Sequence, residues 1–194
     1  MKIIGLTGPT GSGKTLLSEV AKNHGIVTIN ADLVAHKTLE SEEARKRLIE
    51  VFGNGILTDS KIDRKKLGAA AFLTEESTER LNQTVLPLIV NDIKKIIEKT
   101  EGEFVLLDAP TLFESGIHTE CDYIISVISD ESIRKKRIIE RDSLSGAEAE
   151  LRLARAKSDE FFISRSSHII FNNKSAEDFK TEAESVILSI INNN

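Results

Sequence analysis

Residues 8–15 read Gly8-Pro9-Thr10-Gly11-Ser12-Gly13-Lys14-Thr15, which satisfies G-x-x-x-x-G-K-[ST] at every fixed position. The bare pattern arises by chance in roughly one chain of this length in a hundred, and its surroundings narrow it further. Before it, Lys2-Ile3-Ile4-Gly5-Leu6-Thr7 reads as a buried parallel strand; after it, Leu16, Leu17, Val20 and Ala21 recur at helical spacing. A strand, a glycine loop and a helix start in that order form a phosphate cradle. The glycines let backbone N–H groups turn towards anionic oxygens, and the helix N-terminus adds a favourable dipole. Gly11, Ser12 and Gly13 lie along this cradle. Lys14 supplies a point charge for β- and γ-phosphates, and the Thr15 hydroxyl suits the Mg²⁺ that accompanies them. The stretch alone says that a nucleoside triphosphate binds.

Composition bounds the rest. A chain of 194 residues with 40% hydrophobic content suits one compact domain, and three prolines with no Gly/Ser tract mark no linker. A net charge of −5 argues against a broad nucleic-acid-gripping face. Cys121 is the only cysteine, so no intramolecular disulfide can form; it reads as a small structural thiol. The chain opens on a strand, with no signal sequence, and no apolar run approaches the ~18 residues of a membrane span. These features fit a cytoplasmic protein acting on small molecules, without nucleic-acid or membrane partners, as a monomer or weak homo-oligomer. His24, His36, His118 and His168 lack metal-ligand spacing, which argues against a structural metal site.

Along the chain, the first helix runs over about 14–23, stopped by Gly25, and Gly25–Ile29 forms a second strand. Asn30-Ala31-Asp32 follows at its carboxyl end, where open parallel sheets bind ligands. Residues 33–100 read as helical, with starts at Ser41, Asp63 and Thr74 and a turn-rich connection over 54–61. Val85, Ile89, Ile93 and Ile96 mark an apolar face, and Pro87 within it predicts a break or kink. Glu103–Asp108 is an apolar strand ending in an acid, as in a Walker B strand. Glu114, in the following loop, is either a solvated acid or a site residue. Asp122–Ile128 is the fourth strand, and Asp130 is positioned to cap the next helix. Arg134, Arg137 and Arg141 share one face of that helix, as a solvated basic face or as a lid closing over phosphates. Ser145 with Glu148, and Ser175 with Asp178, open two further helices around a fifth strand at 167–171.

Several of these blocks carry a resemblance over nearly the whole chain. Ile4-Gly5-Leu6-Thr7-Gly8, Asn30-Ala31-Asp32, Phe52 to Leu57 with Ile62-Asp63-Arg64 and Leu67, Pro110 to Glu114, Arg137 with Arg141-Asp142, and Asn172-Asn173 resemble motifs of the dephospho-coenzyme A kinases. The resemblance implies an α/β, three-layer P-loop NTPase fold with a five-stranded parallel sheet. Its core would span 1–32 and 101–194, with a helical acceptor-binding insertion over about 33–100 and a lid over about 137–160. It implies ATP and Mg²⁺, and transfer of the γ-phosphoryl to the ribose 3′-hydroxyl of dephospho-CoA, the last step of coenzyme A biosynthesis. Asp32, Lys14 and Arg141 would be catalytic. Arg137 and Asn173 would join the cradle in binding ATP. Asp32, Arg64 and Glu114 would face the acceptor, and Arg64 could equally be a surface ion-pair residue. Thr15, and Asp108 through water, would hold the metal.

The chain departs from the family pattern at His36, where an arginine is usual, at Leu86 before Pro87, at Ala156, and near His168. These changes spare the ATP machinery and thin out the acceptor side. They keep open a P-loop kinase of another small alcohol or of a nucleoside monophosphate. A nucleotide-binding regulatory module without phosphotransfer is the rival of a different class. A GTPase is disfavoured, because Asn173-Lys174-Ser175-Ala176 lacks the aspartate of a guanine motif.

Overall fold

The computed structural model describes residues 1–193. Strand β1 (Lys2–Thr7) leads through the glycine loop into α1 (Lys14–Asn23), and β2 (Val27–Asn30) completes a strand–helix–strand unit. The second strand starts two residues later than the sequence suggests, because Gly25 and Ile26 are used in closing α1: the N–H of Gly25 donates to Lys22 O and that of Ile26 to Ala21 O.

Residues Ala31–Lys99 form a compact unit of their own. It contains α2 (Ala31–Leu39), α3 (Glu42–Phe52), a short hairpin of β3 (Leu57–Thr58) and β4 (Lys61–Ile62), α4 (Arg64–Ala71) and α5 (Glu75–Glu98). The hairpin replaces the expected irregular connection. Its two turn residues, Asp59 and Ser60, both adopt positive φ (49° and 63°), as a tight two-residue turn requires. The Asp63 side chain caps α4 by accepting from the N–H groups of Lys65 and Lys66. Helix α5 runs unbroken through Pro87, so of the predicted break or kink the break does not occur. Pro87 and Gln83, whose carbonyl loses its partner, are both exposed, so water can satisfy that group. The buried face of α5 is Val85, Leu88, Ile93 and Ile97, whereas Ile96 points outward. The core of this unit gathers Leu48, Ile56, Leu67, Ala71 and Val85.

The other unit comprises the residues up to Asn30 and those from Thr100 onward. It adds β5 (Phe104–Asp108), β6 (Tyr123–Ile128), α6 (Glu131–Asp142), α7 (Gly146–Ala154), α8 (Asp159–Ile163), β7 (His168–Phe171) and α9 (Ala176–Asn192). The five main strands lie in the order β2-β5-β1-β6-β7, all parallel, as the sequence predicts. Side-chain alternation sends Ile4, Leu6, Leu106, Ile125 and Val127 to one face, where Leu17 and Ala21 of α1 and Phe179, Ala183 and Ile187 of α9 cover them. On the opposite face Ile124 and Ile128 meet Phe113 and Phe162. This is a sheet with helices on both sides, and it brings the carboxyl ends of β1, β5, β6 and β7 to one edge. Among the described residues no helix is long and apolar enough to cross a membrane.

Candidate active site

The glycine loop needs glycine for two separate reasons. Gly8 sits at φ 136°, and a Cβ there would collide with the Val127 carbonyl of β6; Gly13 sits at φ 106°, and a Cβ would collide with Asn172 Nδ2. Both positions combine a left-handed backbone with a close approach, so only glycine fits. The loop is thus pressed against β6 and against the residue that follows β7.

Asn172 joins the site although no local signal in the sequence marks it apart from its neighbour. It is 3% exposed, and its Nδ2 donates to Ser12 O at 2.7 Å. Its Oδ1 accepts from Arg137 Nη2 at 3.2 Å, and its backbone carbonyl accepts from the same nitrogen and from Ser129 Oγ. Arg137 Nη1 donates in turn to the carbonyls of Gly11 (3.4 Å) and Ser12 (3.2 Å). Burial pulls the Arg137 guanidinium below its ordinary value. Arg137 and Asn172 therefore bind the outward-facing carbonyls of the loop, which leaves its N–H groups to turn inward. A basic face on α6 could be read from the sequence; the contact of Asn172 with a loop 160 positions away could not.

The neighbouring Asn173, expected on the ATP side, is committed elsewhere. Its Oδ1 accepts from the N–H of Asp130 and its Nδ2 donates to Asp130 Oδ1, both at 2.8 Å. This reciprocal pair joins the β6–α6 and β7–α9 junctions, and it is why Asp130, though at the N-cap of α6, makes no side-chain cap. The three arginines sharing a face of α6 also divide their work. Arg134 is 6% exposed and pairs with Asp159 at the start of α8. Arg137 braces the loop. Arg141 forms a two-pronged pair with Asp142, Nε to Oδ1 at 2.7 Å and Nη2 to Oδ2 at 2.8 Å, and Arg152 of α7 shares that carboxylate. Hydrogen bonds from Arg141 hold the Asp142 carboxyl below the usual range, and Asp142 raises Arg141.

Lys14 spans its own loop, Nζ donating to Gly8 O at 2.8 Å and Pro9 O at 3.3 Å. Thr15 is exposed in the first turn of α1. Ser18, one turn further on, donates to Asp108 Oδ2 at 3.4 Å. Asp108 closes β5 in register with Leu6 of β1. Its carboxylate thus sits about one helical turn from Thr15. A hydroxyl and a carboxylate at that spacing are hard oxygen donors suited to Mg²⁺ with water between.

Asp32 lies two residues beyond the carboxyl end of β2, exposed in the first turn of α2. Arg64, first residue of α4, meets His36 and not an acid: Nη2 lies 2.7 Å from Nε2 and Nη1 3.3 Å from Nδ1. A neutral imidazole accepts at one nitrogen only, and the shorter contact selects Nε2. Glu114 is exposed in the loop after β5, at the wall of a small cavity.

The comparisons with known proteins agree with one another. The family model described as dephospho-CoA kinase matches residues 2–178. The dephospho-CoA kinase of Fusobacterium nucleatum is 38% identical over 183 residues, covering 94% of this chain and 95% of that one. Among solved structures, the dephospho-CoA kinase from Campylobacter jejuni aligns with a TM-score of 0.71 at 32% identity, covering 98% of each chain. TT1252 from Thermus thermophilus aligns at 0.82 with 24% identity over 97% of each chain, a likeness of fold.

Proposed function

The chain belongs to the dephospho-CoA kinase family, and on that premise we propose that it transfers the γ-phosphoryl of ATP to the ribose 3′-hydroxyl of dephospho-CoA. The products are CoA and ADP, in the last step of coenzyme A biosynthesis. The observation that carries this reading is the phosphate loop, braced from behind by Arg137 and Asn172, with the Asp108 carboxylate at the end of β5 beside helix α1.

Each residue's part follows from its chemistry. Backbone N–H groups of Gly11 to Gly13, with Lys14, take the β- and γ-phosphates. Arg137 and Asn172 keep the loop in shape from behind. Thr15, and Asp108 through water, would hold Mg²⁺, which when bound spreads the charge of the phosphates. Asp32 orients the acceptor hydroxyl and receives its proton as the new P–O bond forms. The bond from the γ-phosphorus to the bridging oxygen breaks, and ADP leaves with that electron pair. A loose transition state of this kind needs placement and charge neutralisation more than a strong base. Arg141 supplies neutralising charge after exchanging Asp142 for a phosphoryl oxygen. Arg64, oriented by His36, binds an anionic part of the acceptor, and Glu114 contacts it elsewhere. Asn173 supports the ATP side through its hold on Asp130. Small, soluble substrates fit a cytoplasmic monomer or weak homo-oligomer.

The test is an acceptor panel with Mg-ATP, read by mass spectrometry. Dephospho-CoA should be converted to CoA, and Asp32→Ala should not support this. Conversion of a different small alcohol or a nucleoside monophosphate in its place would move the chain to another acceptor. ATP hydrolysis that no acceptor stimulates would favour a regulatory module.

A further inference from the structure

Arg64 is a cation whose partner is not an anion. It opens α4 from an exposed position, and among the described residues no carboxylate pairs with it. The acid beside it in sequence, Asp63, is already engaged. One of its oxygens caps α4 through the N–H groups of Lys65 and Lys66, and the other accepts from the Thr58 hydroxyl at 2.8 Å. Arg64 instead places Nη2 2.7 Å from Nε2 of His36. That contact is a hydrogen bond only while Nε2 keeps its lone pair. A proton there would set a second positive charge against the guanidinium and leave it no acceptor.

The surroundings leave Arg64 as the group in contact with this imidazole. On α2 itself, Asp32 and Glu40 lie one turn before and after His36, and all three are exposed. From α5, which packs on α2, Asp92 is taken by the Thr38 hydroxyl at 2.8 Å and by Lys95 at 3.4 Å. The charges that open α3, also packed on α2, pair among themselves: Arg45 and Lys46 with Glu42, and Arg47 with Glu43. From α4, Lys66 donates to Leu57 O, and Lys65 is exposed.

We propose that His36 is a proton-coupled binding residue for the acceptor's diphosphate. When a diphosphate oxygen takes the N–H of Arg64, Nε2 is released, gains a proton from solvent and donates to the same diphosphate. One N–H bond forms at Nε2, no other bond changes, and the proton returns to solvent when the product leaves. Free of ligand, the two side chains fit each other as donor and neutral acceptor. A diphosphate reverses that balance, because its negative oxygens offset both charges and give both groups a charge-assisted hydrogen bond. Imidazole suits the task, since its charge changes near neutral pH. The pair also shares the face of α2 that carries Asp32, so it would hold the diphosphate beside the group that receives the hydroxyl proton. This inference rests on the dephospho-CoA kinase reading and adds to it a proton taken up on acceptor binding.

The test compares the wild type with His36→Gln. Glutamine is a good helix former for an exposed position; it keeps an oxygen for Arg64 and cannot gain a proton. The first measurement is calorimetric titration with dephospho-CoA, without ATP, at pH 7.5 in two buffers of different ionisation enthalpy. The wild type should take up a measurable fraction of a proton per acceptor bound, and His36→Gln should bind with none. The second is proton NMR of the histidine rings, where the His36 signal is the one missing from the variant. Dephospho-CoA should move that signal of the wild type towards its acid-limit position. In initial-rate kinetics the wild-type acceptor KM should rise up to about tenfold from pH 6.5 to 8.5, the effect of one linked proton. It should stay flat in His36→Gln, and the ATP KM should follow pH alike in both. Binding without proton uptake, or equal uptake by the variant, overturns the proposal and leaves the kinase reading standing. A uniform loss of affinity in the variant with its pH dependence intact would make His36 a structural support and overturns it as well. If uptake is lost with His36 but no CoA forms with ATP, the kinase reading fails and the binding role stands. No binding of dephospho-CoA by the wild type overturns both.

Discussion

The brace behind the phosphate loop makes a quantitative prediction for Gly13→Ala. Two costs add in the single variant. An alanine at φ 106° carries backbone strain of about 1–3 kcal/mol. Its methyl group also displaces Asn172, which loses the bond to Ser12 O and the bond from Arg137 Nη2. At about 1 kcal/mol each these contribute about 2 kcal/mol. For a chain of this size the total, about 3–5 kcal/mol, lowers Tm by roughly 6–20 °C. In an Asn172→Ala background the second cost has already been taken, so Gly13→Ala should cost only the strain. The coupling energy between the two sites should therefore be about 2 kcal/mol, or roughly 4–8 °C of Tm, measured by calorimetry on the four proteins of the cycle. The double variant should be more stable than additivity allows. Additivity within about 0.5 kcal/mol would refute the idea that Asn172 and Gly13 form one packed contact.

Three further outcomes follow from other parts of the molecule. Lys14→Ala should abolish ATP turnover, because Nζ sits at the loop, donating to the carbonyls of Gly8 and Pro9, where it supplies the charge that phosphates need; retained turnover would count against the cradle. Burial pushes the Cys121 thiol up to about 12, so it should resist iodoacetamide at pH 8 in the folded protein and react on unfolding, as mass spectrometry would show; rapid native labelling would contradict its packing. The Asp63 carboxyl is held below the usual range, first by the N–H of Lys66 and then by the Thr58 hydroxyl. A lowered folded-state value means its stabilisation is complete above the ordinary aspartate range and is lost as pH falls through the lowered value. The Tm gap between wild type and Asp63→Asn should then be full at pH 6 and narrow by pH 3; a gap that does not change with pH would contradict the charged cap.

Local signals were legible in the sequence wherever the physics is local. The strand–loop–helix start, the caps at Ser41, Asp63, Thr74, Ser145 and Ser175, and the buried stripe of α9 all depend on neighbours within a turn or two. What escaped depends on tertiary placement. Pro87 continues a helix because the carbonyl it frees lies on an exposed face, and exposure is fixed by packing. Asp130 looks like a cap, yet Asn173 reaches it from 43 positions away. Asn172 looks like half of an asparagine pair at a strand end, and becomes the loop's backstop only because β7 lies beside β6 in the sheet. The arginines of α6 were legible as one face. Their division into an internal brace, a loop brace and a carboxylate-held side chain was not, since Arg134 meets α8, Arg137 meets the loop, and the Asp142 beside Arg141 is shared with Arg152 of α7.

The central claim is that this phosphate loop delivers the terminal phosphoryl of ATP to one particular hydroxyl. The most direct test is ATP labelled in its γ-phosphoryl, incubated with dephospho-CoA and the wild-type protein, with the label located by fragmentation mass spectrometry. The account predicts one labelled phosphate on the ribose 3′-oxygen for each ADP formed. Label appearing only as inorganic phosphate, or at any other position of the acceptor, would contradict it.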